Sequence, residues 1–505
     1  MVPTTTSSVR TRFAPSPTGF MHVGNLRTAL YEYLIARSLG GTFVLRIEDT
    51  DRGRLVDGAV DAVYRTLARV GLRHDEGPDV GGDFGPYVQS ERLHLYRPHA
   101  EALVAAGHAY RCFCTKERLE SLRAPAASAG AAEDDGSGAA AGAFSAGYDR
   151  HCRDLPAEES ARRAAAGEPH VIRQRMPLEG TTVFEDAVYG RIEVDDAELE
   201  DQVLLKSDGF PTYNFANVVD DHLMRITHVV RGSEYLSSTP KYQLLYEAFG
   251  WKPPVYVHLP VVNGADGKKL SKRHGAVSFE GLVDEGYLPE AIVNCIALLG
   301  WSPGGTQEIF TLDGLCRAFR IDGISRSPAV LDYDRLRWFN GEYLRALAPE
   351  AFLAVASSWI ARALPGAGAG LDLSRLAAAL QPRVTQLSQI PGMVSFLKEL
   401  PDYDLRLFAN EKMKTDPALA AAMLDRAEKE LAGLGEWTHD ALHAALTGLA
   451  QREGRKNGQV MWPVRIAVSG TEVTPGGAIE ILAVLGRDES LRRIGMARRK
   501  LADAR

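Results

Sequence analysis

Residues Arg10–Arg52 read RTRFAPSPTGFMHVGNLRTALYEYLIARSLGGTFVLRIEDTDR, and this stretch decides the fold. A short apolar strand, Val9 to Ala14, runs into a loop punctuated by Pro15, Pro17 and Gly19. Leu26, Leu30, Tyr33, Leu34 and Arg37 recur at helical spacing, which predicts a helix from about Val23 to Leu39. Gly40-Gly41 stops it, and Thr42 to Ile47 is a second apolar strand. A strand–helix–strand unit implies a right-handed crossover between parallel strands. At the helix start, His22 and Asn25 share one face of the first turn. Gly24 between them lets a flat ligand approach the backbone. Free N–H groups and the positive end of the helix dipole favour phosphate there.

Taken alone, H-x-G-x is an ordinary helix start. A second motif, Lys268-Lys269-Leu270-Ser271-Lys272-Arg273-His274-Gly275, packs four cations into six residues. By itself it is a solvated basic loop. Paired with a helix-start nucleotide site on a parallel sheet, it suits a clamp for the outer phosphates of ATP. Together the two motifs resemble the HIGH and KMSKS signatures of class I aminoacyl-tRNA synthetases. TRFAPSPTG, RIEDTDR, LLKSDGFPTYNFANVVDDHLM and VVRGSEYLSSTPK are similar to the matching segments of bacterial-type glutamyl-tRNA synthetases. The resemblance runs to the last forty residues.

Composition agrees and narrows the setting. A chain of 505 residues, 45% hydrophobic and 24% charged, suggests several globular domains. No apolar run is long enough to span a membrane. The start, MVPTTTSSVR, has no apolar core, so a secretion signal is not expected. Five cysteines argue against a disulfide scaffold and fit a reducing cytoplasm. The net charge of −7 is not that of a general nucleic-acid binder, so a tRNA partner must rest on local basic patches.

The expected fold class is α/β. Residues 1–113 and 203–262 form the two halves of a Rossmann-type parallel-sheet catalytic domain. Residues 114–202 form an inserted α+β domain that, by the resemblance, binds the acceptor end of tRNA. Within it, Ala124 to Gly147 is almost entirely Ala, Gly, Ser, Asp and Glu, and is read as a mobile insertion. Residues 263–340 carry the lysine loop and a helical stem-contact domain. Residues 341–505 alternate amphipathic helices with short loops, which the resemblance makes an all-helical anticodon-binding domain. The last segment, Arg487 to Arg505, has seven Lys or Arg and three Asp or Glu, a composition that suits a solvated helix.

The resemblance implies that glutamate attacks the α-phosphate of ATP, taken with Mg2+, and that the glutamyl group passes to the 3′ end of glutamate tRNA. His22, Gly24, Asn25, Lys269, Leu270, Ser271, Lys272 and Arg273 would bind ATP. Of these, His22, Asn25, Lys269 and Lys272 would be the catalytic residues. Asn25 stands where the class signature has its second histidine. Glutamate carries two carboxylates and an ammonium, so its site needs a guanidinium fork and a carboxylate. Arg12 lies at the C-terminal end of the first strand, where open parallel sheets bind ligands, and Arg231 ends a comparable run. Glu48 would accept from the α-ammonium. The bland alternative pairs Arg12 with Glu48. Ala14, Ser16, Tyr213 and Asn217 match glutamate contacts of the family. Cys112, Cys114, Tyr148 and Cys152 match a structural zinc site of some members. His151 is offset from the position where the family places a histidine, and Asp154 occupies that position. Arg383 matches the arginine with which discriminating enzymes read the third anticodon base. The implied protein is a cytoplasmic monomer.

Overall fold

The computed structural model describes residues 8–19, 21–51, 53, 55–123, 148–270, 275–365 and 371–504. Residues 124–147, expected to be a mobile insertion, and Ser271, Lys272 and Arg273 of the lysine loop lie outside the described residues. The chain divides into two compact units: residues 1–282 with 292–332, and residues 283–291 with 333–505.

The first unit starts as the sequence dictates. Strand β1 (Arg10–Phe13), helix α1 (Val23–Ser38) and strand β2 (Thr42–Leu45) form in that order. The strands pair in parallel, from Arg10 opposite Thr42 to Phe13 opposite Leu45. Gly41 is required at the turn: a Cβ there would stand 2.3 Å from Val9 O. Helix α1 is buried on most of its circumference, including Leu26, Leu30, Tyr31, Leu34 and Ile35. Two polar side chains inside that contact surface donate to backbone carbonyls. Tyr31 OH donates to Ala297 O and Leu299 O, and Arg27 donates to Pro260 O and Leu299 O.

Helices α2 (Ala59–Arg69) and α3 (Leu93–Ala105) follow, then β3 (Ala109–Cys112), α4 (Lys116–Arg123) and α5 (Ala157–Ala165). Next come β4 (Val171–Gln174), β5 (Thr181–Asp186), β6 (Gly190–Asp195) and β7 (Val203–Leu205). Strands β3, β4 and β7 form one antiparallel sheet. The strand at the end of the expected first catalytic half therefore shares its sheet with strands on both sides of residue 202. Helix α6 (Tyr213–Leu223), β8 (His228–Gly232), α7 (Thr239–Ala248) and β9 (Val255–Leu259) restore the parallel arrangement. β8 and β9 pair in parallel from His228 opposite Val255, and the β5–β6 hairpin adds to β9 at Asp186 opposite Tyr256. Thr227 joins the halves: its N–H donates to Arg10 O at 2.9 Å, and its hydroxyl accepts from Arg10 N at 2.8 Å. Strand β10 (Val262–Asn263), helices α8 (Phe279–Asp284), α9 (Pro289–Ala297) and α10 (Leu312–Ala318), and β11 (Ala329–Val330) complete the series, with β10 and β11 parallel.

The second unit is helical, as the alternation of amphipathic stretches and short loops predicts. Its helices are α11 (Tyr333–Ala346), α12 (Pro349–Ala363), α13 (Leu373–Leu380), α14 (Ile390–Val394), α15 (Pro417–Ala432), α16 (His439–Arg452), α17 (Asn457–Ser469), α18 (Ala478–Leu485) and α19 (Arg487–Asp503). Phe352, Leu424, Leu446, Val464, Leu482 and Ile494 form part of one core. Helix α19 corrects the solvated reading of the last segment. It buries Ser490, Arg493, Ile494, Ala497 and Leu501, and Arg493 donates to Phe396 O and Val468 O, both at 2.8 Å. Its basic composition hides a packed face because Arg493 meets carbonyls rather than water.

Candidate active site

The start of α1 is held from two directions. His22 is the residue before the helix, in extended conformation, and its Nδ1 accepts from Gly24 N at 3.1 Å. An accepting Nδ1 leaves the proton of the neutral ring on Nε2. Burial, and then the charge of Lys269, lower the His22 pKa, so the ring stays neutral at neutral pH. Val23 N donates to Val277 O at 2.9 Å, and Phe279 N donates to Met21 O at 3.1 Å. Two donors of the first turn are thus already committed, and the expected anion site is narrower than four free N–H groups would make it. A Cβ on Gly24 would meet only His22 Nδ1, at 3.4 Å, so the space above it is open. Asn25 is exposed beside it.

The lysine loop is anchored at both ends of its described part. On the near side Leu270 N donates to Val262 O at 3.2 Å, Gly264 N donates to Lys268 O at 2.8 Å, and Leu270 is buried. On the far side Val277 and Phe279 hold the start of α1. Two motifs separated by most of the first unit therefore meet, with exposed Lys269 acting electrostatically on His22.

At the C-terminal ends of β1, β2 and β8 lies a buried group of charges. Arg12 donates through Nε to Asp221 Oδ1 at 2.9 Å and through Nη1 to Glu32 Oε1 at 3.0 Å. Arg46 donates through Nη1 to the same Asp221 oxygen at 2.8 Å, and through Nη2 to Glu48 Oε1 at 2.8 Å. The expected alternative, Arg12 paired with Glu48, is not what forms: each has its own partner, and Arg46 and Asp221 stand between them. Burial pushes the Glu32 and Glu48 carboxyls up, against the pull of Arg12 and of Arg46 respectively. Burial would also raise Asp221, but Arg12 and Arg46 outweigh it and hold that carboxyl below its ordinary range.

Arg231 is different. It is 6% exposed, and among the described residues it makes no ion pair. Its Nε has no hydrogen-bond partner, and its guanidinium lies 4.7 Å from the Tyr242 ring, 5.4 Å from Tyr235 and 5.6 Å from Tyr213. Tyr213 starts α6 and keeps its ring partly exposed. Asn217, one turn on, donates to Tyr213 O at 2.8 Å. Tyr213, Asn217 and Asp221 recur every fourth residue, on one face of α6. Ala14 is half-buried and Ser16 exposed on the loop after β1, where Glu48 N donates to Pro15 O at 3.1 Å. The sequence reading missed Arg46, Asp221 and Glu32; the four-residue spacing from Tyr213 was the one available signal for Asp221.

The cysteines also converge. The sulfurs of Cys112, Cys114 and Cys152 lie within 4.8 Å of one another. Tyr148 OH is 3.1 Å from Cys112 Sγ and 3.8 Å from Cys114 Sγ, and the Cys114 and Cys152 sulfurs are 3.6 Å apart. His151 and Asp154 are exposed, and Asp154 pairs with Arg175 at 3.3 Å. In the helical unit Arg383 is exposed just beyond α13. Its backbone N donates to Leu380 O at 2.9 Å and its Nη1 to Ala379 O at 3.1 Å. Gln381 fixes that turn by donating to Leu344 O and Leu347 O.

Known proteins resemble the chain over its whole length. The family of tRNA synthetases class I (E and Q), catalytic domain, matches residues 8–338, and the anticodon binding domain matches residues 341–498. The chain is similar to the glutamate–tRNA ligase of Clostridium novyi, at 51% identity over 497 residues, 98% of this chain and 99% of that one. It is equally similar to the glutamate–tRNA ligase of Lachnoclostridium phytofermentans, at 51% over 500 residues, 99% of this chain and 100% of that one. The crystal structure of a glutamate tRNA ligase from Elizabethkingia meningosepticum, in complex with its amino acid, superposes with a TM-score of 0.86 at 33% identity, covering 98% of this chain and 100% of that one. A helix start held by His22, a lysine loop anchored beside it and a helical region matched by the anticodon binding domain thus sit in a chain that belongs to the class I tRNA synthetases, among the glutamate–tRNA ligases.

Proposed function

We propose that the buried charges at the strand ends hold glutamate, and that the start of α1 and the lysine loop hold ATP as its magnesium complex. The buried guanidinium of Arg231, which makes no ion pair among the described residues and leaves Nε without a hydrogen-bond partner, carries this reading. Burial opposes the Arg231 charge, Tyr213, Tyr242 and Asp221 together sustain it, and an arriving carboxylate would give it the direct ion pair it lacks. Arg231 and Arg12 offer guanidinium donors to carboxylate, and Glu48 offers an oxygen to the ammonium. Tyr213, Asn217, Ala14 and Ser16 line the same end. His22 donates through Nε2, with Gly24 and Asn25 beside it, and Lys269, Leu270, Ser271, Lys272 and Arg273 form the loop.

The chemistry then needs positioning and charge stabilisation rather than an enzyme nucleophile. The α-carboxylate of glutamate attacks the α-phosphorus. Pyrophosphate leaves with the bridging electron pair, and Lys269 and Lys272 stabilise that charge. The terminal ribose hydroxyl of tRNA then attacks the mixed anhydride, releasing AMP. The inserted region at 114–202 is assigned to the acceptor end, residues 263–340 to the tRNA stem and 341–505 to the anticodon. The reading includes a cytoplasmic, monomeric enzyme; among the described residues no helix is long and apolar enough to cross a membrane. The test is to offer the protein ATP, labelled glutamate and a total tRNA pool, and to sequence the charged species. Glutamate tRNAs must dominate; charging of unrelated tRNAs would reject the reading.

Two finer assignments accompany it. Tetrahedral zinc with ligand bonds near 2.3 Å sets sulfurs roughly 3.8 Å apart, and the Cys114 and Cys152 sulfurs are separated by 3.6 Å. Cys112, Cys114, Cys152 and the Tyr148 oxygen would hold the ion, which would tie β3 to the segment at 148–152. Metal analysis of the purified protein should give one zinc per chain, lost in Cys114→Ser together with part of the thermal stability. Arg383 would read the third anticodon base, where cytosine and guanine offer different groups. A good base contact discriminates by roughly 1–3 kcal/mol, so Arg383→Gln should narrow the ratio of charging efficiencies between glutamate and glutamine tRNA transcripts. An unchanged ratio leaves Arg383 as a capping residue of its own turn.

A further inference from the structure

We infer that Asp221 is the positioning residue that sets the spacing between the two grips on glutamate. The inference rests on the assignment of Arg12 and Glu48 made above. A single oxygen, Asp221 Oδ1, accepts from Arg12 Nε at 2.9 Å and from Arg46 Nη1 at 2.8 Å. Arg46 then reaches Glu48 Oε1 through Nη2 at 2.8 Å and through Nε at 3.3 Å. The guanidinium that meets a carboxylate and the carboxylate that meets an ammonium are therefore both referenced to one atom.

Each grip also keeps one polar atom uncommitted. Arg12 spends Nε on Asp221 and Nη1 on Glu32, and Glu48 gives Oε1 to Arg46. Arg12 Nη2 and Glu48 Oε2 make no hydrogen bond among the described residues, and these are the atoms left for the substrate. Asp221 is 1% exposed and Arg46 is fully buried, so neither can reach a ligand by moving into solvent. Asp221 sits on the α6 face that also presents Tyr213 and Asn217, which fixes it relative to the rest of the site.

The neighbouring Asp220 supplies an internal comparison: its charge acts on Arg46, but it hydrogen-bonds no member of the network. It is equally buried, but it accepts from Arg92 Nε at 2.7 Å, Tyr96 OH at 2.9 Å and Gln89 Nε2 at 3.0 Å. Its partners belong to α3 and the segment before it, and none is assigned to the substrate.

The test is aminoacylation kinetics on Asp221→Asn and Asp220→Asn, with melting temperatures for both. Asp221→Asn should raise KM for glutamate by about tenfold or more while KM for ATP stays within about twofold. Asp220→Asn should lower the melting temperature without that split. A folded Asp221→Asn protein with an unchanged KM for glutamate overturns the inference, as do equal KM effects from both variants. Arg12→Ala and Glu48→Gln separate the two levels. If neither raises KM for glutamate, the underlying site assignment fails; if both do and Asp221→Asn does not, only the positioning role fails. Should Asp221→Asn not fold, a crystal structure of the wild-type protein with glutamate decides: both contacts to Oδ1 must persist, and loss of either overturns the role.

Discussion

The end proposed for the amino acid and the end proposed for the nucleotide both begin on the β1–α1–β2 unit, and they are built by opposite means. At the first, Arg12, Arg46, Glu48 and Asp221 are each less than 5% exposed and locked in a chain of ion pairs. At the second, His22 is half-buried and neutral, while Asn25 and Lys269 stand exposed. Burying charge is expensive, and a buried ion network is weak evidence for stability. What it offers is fixed geometry, which a small zwitterion with two carboxylates requires. Charge on the phosphates shifts during reaction, and flexible ammonium groups follow it better than a fixed fork does. On the proposed assignment, recognition and catalysis are divided between rigid and adaptable cations.

The largest expected effect tests the adaptable end. Lys272→Ala should slow adenylate formation by about two to three orders of magnitude, the cost of one charge-stabilising donor, with little change in KM for glutamate. Rapid-quench measurement of the first turnover checks it, and a matching rise in KM for glutamate would dissolve the division. Next, Arg231→Lys keeps the charge and loses the fork. A hydrogen bond to a charged group is worth about 1.5–3 kcal/mol, so KM for glutamate should rise roughly ten- to a hundredfold while that for ATP holds. Equal shifts for both substrates would move Arg231 out of the amino-acid end. The smallest effect concerns His22. Its folded pKa lies below the ordinary 6.5, so below that pH the unfolded chain binds the proton more readily. Its contribution to stability is therefore complete above pH 6.5 and declines as pH falls towards the folded value. An NMR titration should place the His22 midpoint below 6.5; a midpoint at or above it would mean that the imidazolium, not the neutral ring, meets the phosphates.

The same contrast explains what could be read from the sequence. The helix start is local: β1, α1 and β2 follow from apolar spacing and two glycines within some forty residues. Arg12 and Glu48 stood out because they end strands. Arg46 did not, because an arginine inside LRIED reads as one more strand residue. Asp221 did not, because DDH at a helix end reads as a solvated acidic turn. Their partners lie 175 and 209 positions apart in sequence, and no periodicity carries that information. Helix α19 failed for a related reason: Arg493 is buried by backbone carbonyls supplied from 97 and 25 residues away. The β3–β4–β7 sheet likewise depends on pairing across segments that composition alone separates.

The shared oxygen of Asp221 has a further meaning in time rather than space. Local pairing such as that of β1 with β2 closes a short loop and can form early. A contact between residues 12 and 221 closes a long one, and topology makes such contacts late in folding. The charges of the network then remain hydrated until the sheet around them is nearly complete. Interactions absent from the folding transition state act mainly on the unfolding rate. The amino-acid end would in that case govern how long the folded enzyme persists once made, and have little say in how quickly it forms.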